Sequence, residues 1–478
     1  MTAHAIVWFR RDLRVSDNPA LAAAAGCGLP VIALFTHAPH EEKPWAPGGA
    51  SRWWLHHALS ELEGCLRDLG LSLVIRTGAS LETLQALTAE HGVTHVFWNR
   101  RYEPAVIERD SHIKTMLREQ GVDVRTFNGS LLYEPHELSN KTGQPFRVFT
   151  PFWKHLYSQP VRAPVQVSTG QLKAPSPQPR SETLDSLGLL PSIRWDSGFN
   201  DHWNPSPAGA REALNRFVDH RVTVYGKKRD FPGISGTSQL SPYLHFGQIS
   251  PRQIWRAVEL AGAAESGGGF KFLSEIAWRE FAYHLLYHFP HTTDTALNET
   301  FSEFPWEPND HHLAAWQQGR TGYPIVDAGM RQLWSTGWMH NRVRMIAASF
   351  LVKHLLQPWQ EGARWFWDTL VDADLASNTM GWQWTAGCGA DAAPYFRIFN
   401  PMLQGAKFDT DGAYVRAYVP ELAGLPNAYI HQPWEAPESV LKSAGVSLGR
   451  DYPRPIIDHR AGRERALAAL AANKAARA

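Results

Sequence analysis

The chain is 478 residues long, 44% hydrophobic and 19% charged, with a formal net charge of +1. That length is too great for one ordinary core and that balance excludes a disordered chain, so two or three packed domains are expected. The near-zero charge confines any polyanion site to a local patch, and three scattered cysteines (Cys27, Cys65, Cys388) exclude a disulfide framework and a four-cysteine metal site.

Residues 1–130 alternate short β-branched apolar runs with amphipathic segments. The runs lie at 5–9, 31–35, 71–76, 94–99 and 122–127, with helical patterns between them at 18–25, 51–69, 80–91 and 104–120. Five buried strands joined by helices predict an α/β domain built on a doubly wound five-stranded parallel sheet. Ligands on such sheets sit at the carboxyl ends of the strands. No G-x-G-x-x-G follows the first strand and no P-loop occurs, which argues against NAD or ATP here. Two strand ends are polar and aromatic: WFRRDLRVSDN (8–18) and WNRRYEP (98–104). Glu103 in the second could accept from a ring N–H. The plainer reading of both is loop chemistry and helix capping, which suits Asp17 before a helical run.

Periodicity fades over 131–208, and the Pro-, Ser- and Gln-rich stretch 159–184 predicts an interdomain connector. From 209 to 478 helical patterns dominate: 209–220, 250–260, 270–288, 310–317, 324–337, 338–356, 360–370, 412–419 and 462–477. A larger all-α domain is expected there. No apolar run of membrane-spanning length and no charged leader is seen, so a cytoplasmic protein is expected.

Several stretches of the helical part carry chemistry. GTSQLSPYLHFGQISP (236–251) offers hydroxyls and backbone N–H groups at a turn before a helix, a pattern that cradles phosphate. Tyr225, Lys227, Lys228 and Arg229 lie just upstream, and their plain alternative is a solvated face. In 272–286, Glu275, Trp278 and Arg279 share one helix face by their spacing of i, i+3 and i+4. In 337–352, Asn341, Arg344 and Met345 repeat that spacing; Arg344 could pair with Asp372, and Arg342 points elsewhere and could reach phosphate. Residues 372–397 combine Asp372, Asp374, Asn378, Trp382, Trp384 and Arg397. Acids, an amide and two π-faces suit a flat, polar, redox-active heterocycle; a Trp-rich core with capping aspartates is the bland alternative. Metal sites are not expected: His56-His57 and His311-His312 are adjacent pairs, and no H-E-x-x-H occurs.

At WFRRDLRVSDN (8–18), RVFTPFWK (147–154), GTSQLSPYLHFG (236–247), WREF (278–281), GYPIVDAGMRQLWSTGWMHNRVRM (322–345), DADLASN…GWQW (372–384) and APYFRIFNP (393–401) the chain resembles the DNA photolyase/cryptochrome flavoproteins. It is most similar to bacterial cyclobutane-dimer photolyases of the folate-binding branch near plant cryptochromes. The resemblance implies an antenna domain followed by a helical domain that holds folded-back FAD. Tyr225 and the run Thr237, Ser238, Gln239, Leu240 and Ser241 would hold the flavin phosphates and ribityl chain. Arg279, Asn341, Arg344, Asp372 and Asp374 would line the flavin, with Asn378 at its N5.

A neutral amide at Asn378 tilts the reading from the cryptochrome-type photoreceptor, the alternative function, toward repair. Glu275, Asn341 and Met345 resemble the pocket for cyclobutane pyrimidine dimers; the (6-4) enzymes carry glutamine and histidine in place of the first two. Trp278 and Trp384 would wall the dimer, and Arg229, Arg342, Arg397 and Gln404 would contact UV-damaged DNA. Trp382, Trp359 and Trp306 would pass electrons to the flavin, with aromatic core packing as the plain alternative. Glu103 would contact the antenna, 5,10-methenyltetrahydrofolate being favoured over a deazaflavin or FMN. A monomer is expected.

Overall fold

The computed structural model describes residues 3–476. Its first part is the expected parallel sheet: β1 (His4–Phe9), β2 (Val31–His37), β3 (Leu73–Thr77), β4 (Val93–Asn99) and β5 (Asp123–Phe127), in spatial order β3-β2-β1-β4-β5. All four pairings are parallel. β1 is buried along its whole length, which is why its sequence reads as a continuous apolar run and not as an alternation. Helices Pro19–Gly26, Gly49–Asp68, Ser80–His91 and Pro104–Glu119 make the crossovers.

The strand order reverses on either side of β1, so the crevice at the carboxyl ends of β1 and β4 is the natural ligand edge. The WFRRDLRVSDN stretch lies there and joins the two parts of the chain. Asn99 Nδ2 donates to Asp12 Oδ2 at 2.6 Å and to Asn18 Oδ1 at 2.8 Å. Arg14, 1% exposed, donates across to Gly247 O at 2.8 Å. A Cβ at Gly247, whose φ is +64°, would collide with the Arg11 and Asp12 backbone, so glycine is needed at this junction.

No strand follows β5 among the described residues, and helices build the rest. One apolar cluster runs from Val7 and Phe9 of the sheet through Phe152 and Trp203 into Phe217, Ile254 and Phe281 of the helices. The segment 131–208 therefore contributes packed core as well as chain passage, and it contains the helix Phe149–Tyr157 against the long helix Gly267–His288. Within 159–184 a 3-10 turn forms at Thr169–Gln171 and Lys173 bridges to Pro30 beside the sheet, and a second 3-10 turn, Leu184–Leu187, begins at its end.

Some of the helical expectations need correction. The pattern over 338–356 is a helix only from Asn341 to Ser349. His340 caps it, its Nδ1 accepting from Arg342 N at 3.1 Å, and a π turn, Phe350–His354, follows. Helix Leu375–Ala386 had no place in the expected set, because its indoles and Gly381 break the apolar stripe. Its ends carried the signal: Asp374 caps it, and Gly387 closes it at φ +89°. Helix Pro401–Phe408, capped by Asn400, also went unexpected. The C-terminal helix runs His459–Ala475; the expected end at 477 lies outside the described residues.

Candidate functional site

Several elements of the helical part enclose a cavity of about 480 Å³. The long helix contributes Glu275, Trp278 and Arg279, as the shared-face spacing predicts. Helix Asn341–Ser349 contributes Asn341, Arg344 and Met345. Asp372 and Asp374 stand on the approach to helix Leu375–Ala386, which adds Asn378, Trp382 and Trp384. Ser241, at the start of the short helix Ser241–His245, and Arg229 complete the predicted residues at the wall.

Arg344 Nη2 contacts both oxygens of Asp372, at 3.0 and 2.8 Å, and Arg344 Nε donates to Met339 O at 2.7 Å. This charge-assisted pair sits on the cavity wall with Asp372 only 8% exposed. Asp374 is engaged on both oxygens. Oδ1 accepts from Ser377 N at 2.8 Å, Oδ2 accepts from the Tyr283 hydroxyl, and His245 lies 3.8 Å away. Burial pushes its carboxyl up, yet His245, Arg279 and Tyr283 hold it well below the usual carboxylate range. Burial lowers the His245 pKa and raises that of Tyr283. Asn378 Nδ2 is anchored on Ala363 O at 3.0 Å.

At the mouth, cations and acids are interleaved. Glu275 accepts from Arg229 and from Lys271 at 3.0 Å. Arg342 does not line the cavity. It pairs with Asp230 at 2.9 Å and lies over Phe408 at 4.5 Å. Arg397 is exposed on the segment after helix Leu375–Ala386, and Gln404 is partly exposed on helix Pro401–Phe408.

The run ahead of Ser241 stays outside the wall. Tyr225 is buried, with the Arg229 guanidinium 5.3 Å from its ring centroid. Thr237 and Ser238 are partly exposed, Gln239 adopts φ +54°, and Leu240 is buried. Trp382 is 2% exposed, packed edge-on against Phe366 at 5.0 Å and Trp316 at 6.1 Å. Trp359 is equally buried and opens helix Trp359–Thr369, one turn before Gly362, against which the Trp382 ring rests. Trp306 is partly exposed beside Phe304, at 4.5 Å.

At the sheet edge, Glu103 is already committed. Its carboxylate contacts Arg101 at 2.8 Å and Arg11 at 3.4 Å, and accepts from Tyr102 N at 3.1 Å. With Glu42, which pairs with Arg101 at 2.7 Å, these residues form a charged partition. On one side lies a small cleft that Glu103 lines with Trp45 and Trp367; on the other, a second small cleft is lined by Glu42, Arg10, Arg109 and Phe246.

Tyr283, His245, Lys271 and Ser377 were missed as site residues. Ser377 was legible as the N3 partner of a capping aspartate. Tyr283 was legible one turn beyond Arg279 on the same helix face. Lys271 was legible one turn before Glu275 on the same helix, whereas His245 carried no local signal, because it reaches Asp374 only through tertiary packing.

A family model for the FAD binding domain of DNA photolyase matches residues 272–472, and a DNA photolyase model matches residues 5–170. A deoxyribodipyrimidine photo-lyase of Agrobacterium fabrum is 51% identical over 477 residues, covering 99% of this chain and 98% of its own. Cryptochrome-1 of Arabidopsis thaliana is 41% identical over 471 residues, covering 95% of this chain and 68% of that protein. The crystal structure of a bacterial class III photolyase from Agrobacterium tumefaciens has a TM-score of 0.96 at 51% identity, covering 99% of this chain and 98% of that one. The chain belongs to the DNA photolyase/cryptochrome family.

Proposed function

We infer that this protein is a deoxyribodipyrimidine photo-lyase, an FAD enzyme that repairs cyclobutane pyrimidine dimers in DNA under light. One observation carries the reading. A single cavity brings Glu275, Asn341 and Met345 together with Asn378, between the indoles of Trp278 and Trp384.

The residues present fit FAD. The cavity, about 480 Å³, falls within the roughly 300–1,000 Å³ of an ordinary small-molecule pocket. Its polar groups are few and fixed: the Arg344–Asp372 pair, the capped Asp374, the anchored Asn378 amide and Ser241. We assign Tyr225 and the 237–240 run to the phosphate and ribityl side. When bound and reduced, FAD supplies the photoexcited electron that splits the dimer.

The chain's own residues set the conditions for that chemistry. Trp278 and Trp384 give a lesion apolar walls that exclude water, which strengthens every charge interaction inside. Dimer carbonyls that gather negative charge would meet the cluster of Glu275, Arg229 and Lys271, a preorganised set of charges and hydrogen bonds. The neutral amide of Asn378 offers no acidic proton, which is the residue-level reason for preferring repair to the cryptochrome-type photoreceptor. Trp382, Trp359 and Trp306 are assigned to electron supply. Extrusion of the damaged base pair from the duplex is the general behaviour of photolyases. Arg229, Arg342, Arg397 and Gln404 are assigned to the strand.

For the antenna we assign 5,10-methenyltetrahydrofolate to the sheet edge beside the Glu42–Arg101–Glu103 partition, where arginines suit an anionic tail. The absorbance of the chromophore released from purified holoenzyme distinguishes it from a deazaflavin or FMN.

The test of function is direct. Reduced, FAD-loaded protein is mixed with dimer-bearing oligothymidine, and thymine absorbance is followed in light and in the dark. Recovery in light alone is expected. No recovery with reduced FAD bound would refute the repair reading and favour the photoreceptor.

A further inference from the structure

Trp278 does not stand alone in the cavity wall. Its ring stacks on Phe149 with centroids 3.6 Å apart and planes 9° from parallel. Phe281 meets both rings edge-on, at 5.9 and 5.8 Å. Aromatic pairs more often sit at roughly 4.5–7 Å, so Phe149 covers one face of the indole in full contact. Phe149 itself is buried and outside the cavity.

The backing residue is tied to a distant segment. Phe149 opens helix Phe149–Tyr157, whose cap position is Val148, a side chain with no acceptor. The acceptor comes from elsewhere: Asp391 Oδ2 takes the Phe149 N–H at 3.3 Å. An acid at a helix N-terminus is favourable both for the free N–H groups and for the helix dipole. Asp391 holds φ +49° on the segment between helix Leu375–Ala386 and the exposed Arg397. The far end of that segment is pinned by Lys353, whose Nζ donates to Arg397 O at 3.3 Å.

We propose that Phe149 is a positioning residue for lesion recognition: it fixes the plane of Trp278 and, through Asp391, couples that wall to the segment ending in Arg397. The proposal rests on the repair reading. The terminal torsion of a tryptophan is broad, so an indole without a backing ring samples several tilts. Only a ligand inside the cavity would sense that loss. An undamaged strand, held by its phosphates outside, would not.

The test uses FAD-loaded holoenzyme with the substitutions Phe149→Leu, Phe149→Tyr and Asp391→Ala. Affinities for dimer-bearing and undamaged oligothymidine are measured beside FAD content and Tm. In Phe149→Leu the dimer-over-undamaged ratio should fall about threefold to tenfold, the equivalent of one aromatic pair, with undamaged binding within about twofold of wild type. Phe149→Tyr should retain the ratio, and Asp391→Ala, a surface change that keeps the ring, should lower it by less. An unchanged ratio in Phe149→Leu, or an equal loss for both strands together with lower Tm and FAD content, would overturn the positioning role. An unchanged ratio in Asp391→Ala would overturn the coupling. Wild-type protein without dimer preference would overturn the repair reading, and this proposal with it.

Discussion

Asp374 Oδ1 accepts the backbone N–H of Ser377 at 2.8 Å, so one buried carboxylate both faces the cavity and caps the helix that carries Asn378, Trp382 and Trp384. Loss of such a cap costs about 1 kcal/mol, and more when a buried hydroxyl partner such as Tyr283 is stranded with it. Asp374→Ala should therefore lower Tm and FAD retention together. The pH dependence follows from the depressed pKa of Asp374. A carboxylate held low contributes stability above its unfolded value of about 3.9, and that contribution is lost as pH falls through the folded value. Thermal melts should show the gap between wild type and variant closing as the pH is taken into the acid range.

Gly362 and Trp382 make a second tight relationship. A Cβ at Gly362 would fall within the Trp382 ring. Gly362→Ala should displace the indole, cost about 1–3 kcal/mol as overpacking does, and slow photoreduction of oxidised holoenzyme. Trp382→Phe should block photoreduction while enzyme reduced beforehand keeps its repair. Transient absorption after a flash separates the two effects.

Asp230 competes with DNA for cations. It holds Arg342 at 2.9 Å and lies 3.8 Å from Arg229. Arg229 stays paired with Glu275, so Asp230→Asn should free Arg342 for phosphate, tighten binding to damaged and undamaged strands alike, and steepen the salt dependence by up to about one unit of slope. Titrations across a salt series check this.

Lys353 is a buried ammonium that has no carboxylate partner among the described residues; it donates to Arg397 O and lies 5.2 Å from the Tyr395 ring centroid. Burial, with Arg397 nearby, lowers its pKa to about 8. The unfolded chain thus binds more protons than the folded one between about pH 8 and the ordinary lysine value of about 10.4, so stability rises with pH across that window. Lys353→Met should raise Tm near neutral pH, and its advantage should shrink as pH rises through the window. The same variant should weaken DNA binding by releasing the Arg397 segment.

The sheet was legible because its central strands β1 and β2 are buried apolar runs and helical patterns separate the strands. The faces bearing Glu275, Trp278, Arg279, Asn341, Arg344 and Met345 were legible for the same reason, since helical spacing alone places them together. Helix Leu375–Ala386 was hidden because its cavity face is polar and aromatic where a core face would be aliphatic. The pairing of Glu103 with Arg11, of Glu275 with Arg229 and of Arg342 with Asp230 was not legible, because each joins residues far apart in the chain. Nor was the stack of Phe149 on Trp278, which joins residues 149 and 278 through packing that no local pattern encodes.

The central claim is that light drives dimer splitting from this cavity with no net redox change. The most direct measurement is a single flash on holoenzyme reduced beforehand and saturated with dimer-bearing oligothymidine, with thymine recovery and the flavin spectrum followed together. The expected result is thymine recovery with the flavin spectrum returned to its reduced form. Flavin left oxidised, or no thymine formed while reduced FAD remains bound, would contradict the account.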